Sequence, residues 1–392
     1  MFGVIKRFGL GSQLRRIRLL NLVLTLLLLF LVISFAYWTR PHKTTNQIRD
    51  KYTAVEIPEL SEILSSDQEV RVRGGRKLVE RVDVEKALEI LENSELPHTG
   101  EGHLVVHQVG FYAYKKYGVD SILKCKDYFL YACYHGAIIE AASDQGFSAI
   151  TKMTDRCKEY SKRYFQCVHA AGHAIDAMWD YALDSALKTC DDLYERETQF
   201  PEALTSCHNG AFMENLFGVH DWGTGKEAKR DWLSEDMYFP CNAFSEKYQK
   251  GCWLNQAARI YQKYNGDIVK TARTCEAVGN HQYTVWCIDN LARQIHPLTN
   301  GDVNQVFSMC TTLGDYWREN CITVNAGSFY SVGDAGRAIS ICQKIAISAQ
   351  PECFNNIIGQ IASDNSSLSQ KRDLCRTIGG VFENQCLWQI QI

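Results

Sequence analysis

The register of the cysteines constrains this chain more than any other feature. All sixteen lie between Cys125 and Cys386 and fall in order into eight pairs: Cys125 with Cys133, Cys157 with Cys167, Cys190 with Cys207, Cys241 with Cys252, Cys275 with Cys287, Cys310 with Cys321, Cys342 with Cys353 and Cys375 with Cys386. The first cysteines of successive pairs are 32, 33, 51, 34, 35, 32 and 33 residues apart. A step of about 33 residues is the length of one helix–turn–helix unit of a solenoid. The 51-residue step marks an insertion, placed over 218–240 by its glycines, charges and tryptophans.

Other residues keep the same period. Gly266-Asp267, Gly301-Asp302 and Gly333-Asp334 precede the first cysteine of their units, with Gly118-Val119-Asp120 and Leu183-Asp184 as looser relatives. Glycine ends one helix and aspartate caps the next. Small residues follow the second cysteine, as in Gly136-Ala137, Ala170-Ala171-Gly172 and Gly210-Ala211, which lets helices approach closely. Each unit therefore reads as a helix A ending near the first cysteine and a helix B starting at the second. Residues 83–117 read as a cysteine-free first unit, so the expectation is an all-α chain with a solenoid of about nine repeats over 83–392.

The solenoid resembles tetratricopeptide and Sel1-type repeats in unit length and in its helix pairs. The likeness is architectural. The Trp-Leu-Gly-Tyr-Ala-Phe-Pro pattern of the former is absent, and paired cysteines belong to neither.

The amino terminus reads as a membrane anchor. Leu19 to Trp38 has no charged residue over 20 positions, enough for about 30 Å of helix, the thickness of a hydrocarbon core. Lys6, Arg7, Arg15, Arg16 and Arg18 precede it, so 1–18 is expected to be a basic cytoplasmic tail. The rival reading is a signal peptide cleaved after Ser34-Phe35-Ala36, but the apolar stretch exceeds the usual 7–15 residues. Either way 39–392 is exported, to the cell surface, the periplasm or a lumen. Residues 39–82 are polar and read as a stalk, with a short helix near 57–64.

Export decides how the cysteines are read. Eight registered pairs outside the reducing cytoplasm are expected to form eight disulfides, one per unit. Each short loop contributes about 2–3 kcal/mol on the loop-entropy account. The C-x2-C spacing of structural zinc knuckles is absent. A net charge of −3 excludes a nucleic-acid binder driven by bulk positive charge.

The repeat also serves as a control for the histidines. Two positions after the second cysteine stand His135 and His169, and His103 matches them in the cysteine-free unit. The third unit has Asn209 there, with His208 beside it; later units carry Leu254, Asp289, Thr323 and Asn355. The fold therefore does not demand histidine at this position, yet three consecutive units have it. His107 and His173 add a second imidazole one turn on, the spacing that lets two rings share a metal. Asp176 continues the stripe.

The expected ligands are His103, His107, His135, His169, His173, Asp176 and His208, for a divalent transition metal: zinc, copper or iron. Binding is expected to weaken as pH falls through the imidazole range near 6.5. Glu140 and Glu214, seven residues after their cysteines, are expected on the cysteine side of helix B, away from the ligands. No nucleotide-loop, zinc-protease or serine-hydrolase motif is present. Two roles follow: metal-dependent catalysis or handling, or a surface scaffold whose solenoid face takes a protein or peptide partner.

Overall fold

In the unit with Cys310 and Cys321, local sequence, helix boundary and covalent staple can be read together. Gly301 has φ 68° and Asp302 accepts the Gln305 amide at 2.9 Å. This pair ends one helix and caps the next, Val303–Thr311. The same device acts at Gly266-Asp267 and Gly333-Asp334, where Asp267 accepts from the Lys270 amide and Asp334 from the Arg337 amide. The looser relatives do not cap: Asp120 instead pairs with Arg156, and Asp184 lies inside its helix.

The computed structural model describes residues 52–391 apart from 98–99, 127, 160, 219–232, 300 and 364–365. Among the described residues the chain is helical, without strands. In chain order the helices are α1 (Leu60–Ile63), α2 (Gln68–Val82), α3 (Val84–Glu92), α4 (Gly100–Tyr117), α5 (Ser121–Lys124), α6 (Tyr128–Gln145), α7 (Phe147–Lys158), α8 (Ser161–Met178), α9 (Leu183–Tyr194) and α10 (Ala203–Phe217). The second half holds α11 (Glu246–Lys263), α12 (Ile268–Glu276), α13 (His281–Leu298), α14 (Val303–Thr311), α15 (Asp315–Ser331), α16 (Ala335–Lys344), α17 (Gln350–Ser363), α18 (Leu368–Ile378) and α19 (Gly380–Gln389).

Short and long helices alternate from α3 to α17, except that the long α10 and α11 follow one another with only a 3-10 turn described between them. Each long helix packs on the next long one: α4 on α6, α6 on α8, α8 on α10, α10 on α11, then α13, α15, α17 and α19 in turn. The short helices line the long ones that flank them. The buried apolar side chains form one continuous core along this file.

All eight cysteine pairs are disulfides within their units. The first four join Cys125 to Cys133, Cys157 to Cys167, Cys190 to Cys207 and Cys241 to Cys252. The other four join Cys275 to Cys287, Cys310 to Cys321, Cys342 to Cys353 and Cys375 to Cys386. Cα–Cα distances run from 5.4 Å at Cys125 and Cys133 to 6.4 Å at Cys157 and Cys167. Those distances suit a disulfide without backbone displacement.

Two details differ from expectation. The second cysteines do not open their helices. Cys207, Cys252, Cys287 and Cys353 lie inside helices that start earlier, at Ala203, Glu246, His281 and Gln350. The bond forms where two helices cross rather than where one starts. Cys241 sits on a 3-10 turn, Cys241–Ala243, instead of a helix A.

The polar segment expected to be a stalk belongs in part to the helical body. Val72, Leu78 and Val79 on α2 are buried, as are Leu60 and Ile63 on α1, and α2 packs against α4. Its many charges occupy the opposite side, where Arg73, Lys77 and Arg81 pair with Glu62 and Glu59.

Of the insertion, 233–240 is tied to α11. The Gln256 amide donates to the carbonyls of Met237 and Phe239 at 2.6 and 2.9 Å, and Arg259 donates to those of Ser234, Asp236 and Phe239. Among the described residues no helix is long and apolar enough to cross a membrane. The tail 1–18 and the anchor 19–38 lie outside the described residues.

Candidate metal centre

Close helix approach makes this site. Gly136 on α6 faces His107 on α4, and a Cβ there would lie 2.9 Å from the His107 carbonyl carbon. A Cβ on Gly110 would lie 2.8 Å from the Cα of Gly136. Gly172 on α8 and Gly210 on α10 repeat the arrangement, with a Gly210 Cβ 3.2 Å from the Gly172 Cα. Only glycine allows backbones this near each other. The side chains one to three residues from each glycine are thereby drawn together, and these include His107, His135, His169 and His173.

His103, His107, His135, His169 and His173 form a single group of rings. His135 stands at its centre, with ring centroids 4.9 Å from His103, 5.7 Å from His107, 5.3 Å from His169 and 5.1 Å from His173. The two i,i+4 pairs lie 4.6 Å apart for His103–His107 and 4.8 Å for His169–His173. Two sets of three offer nitrogens all within 4.8 Å of one another: His103, His107 and His135, and His135, His169 and His173.

The hydrogen bonds fix tautomers. His103 Nδ1 lies 2.7 Å from the Phe129 carbonyl, so it must donate, and its Nε2 carries a lone pair. That Nε2 meets His135 Nδ1 at 2.9 Å. His173 Nδ1 donates to Glu214 Oε2 at 2.9 Å, and its Nε2 faces His169 Nε2 at 3.1 Å. Neighbouring ligands on one ion, each about 2.0–2.1 Å from it, lie about 2.9–3.4 Å from one another. Both nitrogen pairs fall in that range. A ring that gives its outer N–H to a carboxylate or carbonyl and turns its other nitrogen inward is the usual support of a ligating histidine.

Burial sets the charge state. It lowers all five imidazole pKa values, to about 4 for His103 and His173 and well below the ordinary value for the other three. The mutual repulsion of the rings, were they charged, acts in the same direction for all but His173. The rings are neutral near pH 7, the form that can ligate.

The remaining candidates are placed differently. His208 is buried but turned away: its Nε2 bonds Asp191 Oδ1 at 2.9 Å, and its ring packs edge-on against Tyr248. Asp191 also accepts from Tyr248 at 2.7 Å and pairs with Lys247 at 2.9 Å, so His208 belongs to a separate ion-pair network. Asp176 is fully buried on α8 but joins neither set of three. Burial, then the charge of Glu214, pushes its carboxyl well above the usual range.

Glu140 pairs with Lys115 at 3.0 Å, clear of the cluster. Glu214 corrects the helical-wheel expectation. It is buried, holds His173 through one oxygen, and accepts from the Tyr181 hydroxyl at 3.1 Å through the other. The wheel put it on the wrong face, yet the close crossing of α8 and α10 brings its long side chain within reach. Two supporting groups carried no sequence signal of their own. Tyr181 lies in a left-handed turn with φ 63°, and the Phe129 carbonyl comes from a left-handed first turn of α6 at Phe129, Leu130 and Tyr131.

Compared with known proteins, the chain matches no family model, no curated protein and no solved structure.

Proposed function

We propose that this chain is a membrane-anchored, extracytoplasmic solenoid whose five-histidine cluster holds a divalent transition metal, zinc, copper or iron. One observation carries the reading. His103 and His173 each give the outer N–H to a fixed acceptor, Phe129 O and Glu214, and turn a lone pair toward another histidine nitrogen. A fixed lone pair this close to a second ring nitrogen matches the spacing of two ligands on one cation. The eight disulfides support an oxidising compartment; the anchor over 19–38 rests on its uncharged run of 20 residues.

The role proposed is metal handling rather than turnover of a bulky substrate. His107, His135 and His173 are all buried. Glu214 is engaged by His173 and Tyr181, so it orients a ligand instead of working as a free base. When bound, the metal would supply Lewis acidity or redox change. The chain's own residues hold it, keep its ligands neutral and limit its contact with water.

The alternative role is a protein or peptide partner on the later units, where the exposed side chains include Tyr316, Ile347, Val381 and Trp388.

Metal analysis of the full chain, purified after export, tests the main reading. A stoichiometric metal that is lost in the His169→Ala, His173→Ala double variant is expected. A folded chain that takes up none of zinc, copper or iron overturns it.

A further inference from the structure

The two sets of three nitrogens have one residue in common. His135, on α6, lies between α4, which carries His103 and His107, and α8, which carries His169 and His173. No set with mutually close nitrogens joins a histidine of α4 to one of α8 except through His135. A single ion bound within these distances would therefore use one pair and leave the other idle.

The hydrogen bonds separate His135 from its neighbours. His103 has its Nδ1 taken by the Phe129 carbonyl and His173 by Glu214, which leaves each ring one inward nitrogen. Among the described residues, the His135 ring has one hydrogen bond, from Nδ1 to His103 Nε2. No carboxylate or carbonyl holds it, and the rings around it are histidines of both pairs. The two nitrogens of an imidazole point out of opposite sides of the ring, and either can bind a metal.

We infer that His135 is a bridging ligand between two metal ions, one held with His103 and His107 and the other with His169 and His173. The inference rests on the metal-binding reading above and adds the number of ions and their connection. The proton balance is simple. Neutral His135 has one N–H; its first nitrogen binds one ion through its lone pair, and the ring proton leaves to solvent when the second ion takes the other nitrogen. Glu214 supplies negative charge beside the second ion through His173.

Copper(II) is the probe. The full chain is stripped with chelator, loaded with copper(II) and freed of excess. Copper content and the integrated electron paramagnetic resonance signal are then measured on the same sample. Two coppers per chain are expected, with a signal well below the copper content, because an imidazolate couples the spins. His107→Ala and His173→Ala should each keep one copper, now with full signal. His135→Gln should abolish the coupling. Circular dichroism checks the fold of each variant, and the unsubstituted chain alone already decides the stoichiometry.

One copper per chain would overturn the bridge while leaving metal binding intact. Two coppers with full signal would also overturn it, in favour of two separate sites. No copper, zinc or iron on the folded chain would overturn both readings.

Discussion

Gly172 and Gly210 face each other where α8 crosses α10, so near that a Cβ on Gly210 would lie 3.2 Å from the Gly172 Cα and strike the His169 carbonyl. Gly210→Ala must push the helices apart, and overpacking of this kind costs about 1–3 kcal/mol. The same shift withdraws Glu214 from His173. Both a lower unfolding temperature and weaker metal binding are expected, read by thermal denaturation and zinc titration. Gly359→Ala on α17 is the control, because a Cβ there meets nothing within 4 Å. It should stabilise by about 0.5–1 kcal/mol through helix propensity alone. Equal effects from the two substitutions would contradict the packing account.

Glu214→Gln keeps the size of the side chain and weakens its pull on the His173 N–H. Loss of such a supporting acceptor typically lowers metal affinity by about 10–100-fold. Affinity for zinc or cobalt(II) should fall by that factor with little change in the circular dichroism spectrum. Glu140→Gln should leave affinity unchanged, since Glu140 pairs with Lys115 away from the rings. Unchanged binding in Glu214→Gln would remove this carboxylate from the site.

Burial moves the pH window below the one expected from the sequence. The folded pKa values of His103 and His173 lie at about 4, below the ordinary 6.5. The unfolded chain therefore takes up protons first as pH falls. The stability this confers is complete above about pH 6.5 and is lost progressively toward pH 4. Urea unfolding of the metal-free chain should show a falling midpoint across that range. A His103→Ala, His173→Ala variant should show a shallower fall, which separates the histidines from carboxylates titrating in the same window. Metal should be retained at pH 6 and lost nearer pH 4–5; complete release at pH 6.5 would argue against buried, neutral rings.

Topology is open to a direct test. Alkaline phosphatase fused after residue 50, ahead of the helical body that starts at Tyr52, should be active if 1–18 stays in the cytoplasm. A reporter that works only in the cytoplasm should be silent at that point. The opposite pattern would remove export, and with it the reason for the disulfides.

The parts of the molecule visible in the sequence are those set by local chemistry or by the repeat. Gly301-Asp302 can be read as a helix stop and start because φ above zero and an aspartate cap depend on neighbours only. The disulfide pairs can be read because each closes a short loop within its own unit. His103, His135 and His169 stand out because equivalent positions elsewhere hold Leu254 or Thr323. Glu214 could not be placed by a helical wheel, since its contact with His173 depends on how near α8 lies to α10. The body of α2 was hidden for a different reason: its charges outnumber a narrow apolar stripe at Val72, Leu78 and Val79.

Two disulfides of equal loop length sit differently in the file of helices. Cys310–Cys321 and Cys375–Cys386 both span a sequence separation of 11, so removing either frees the unfolded chain by the same amount, about 2–3 kcal/mol on the loop-entropy account. Any difference between them must arise in the folded state. Cys310 and Cys321 join α14 to α15, and α15 is packed between α13 and α17. Cys375 and Cys386 join α18 to α19, which among the described residues packs chiefly on α17 and α18. A pair with neighbours on one side only can fray without disturbing the rest, because units in a file depend on their neighbours. The Cys375→Ala, Cys386→Ala variant should show an early, partial transition by Trp388 fluorescence and keep most of its main unfolding midpoint. The Cys310→Ala, Cys321→Ala variant should lower the main midpoint itself. An equal drop in both, with no separate early phase, would mean that the helix pairs unfold as one body rather than as a chain of neighbours.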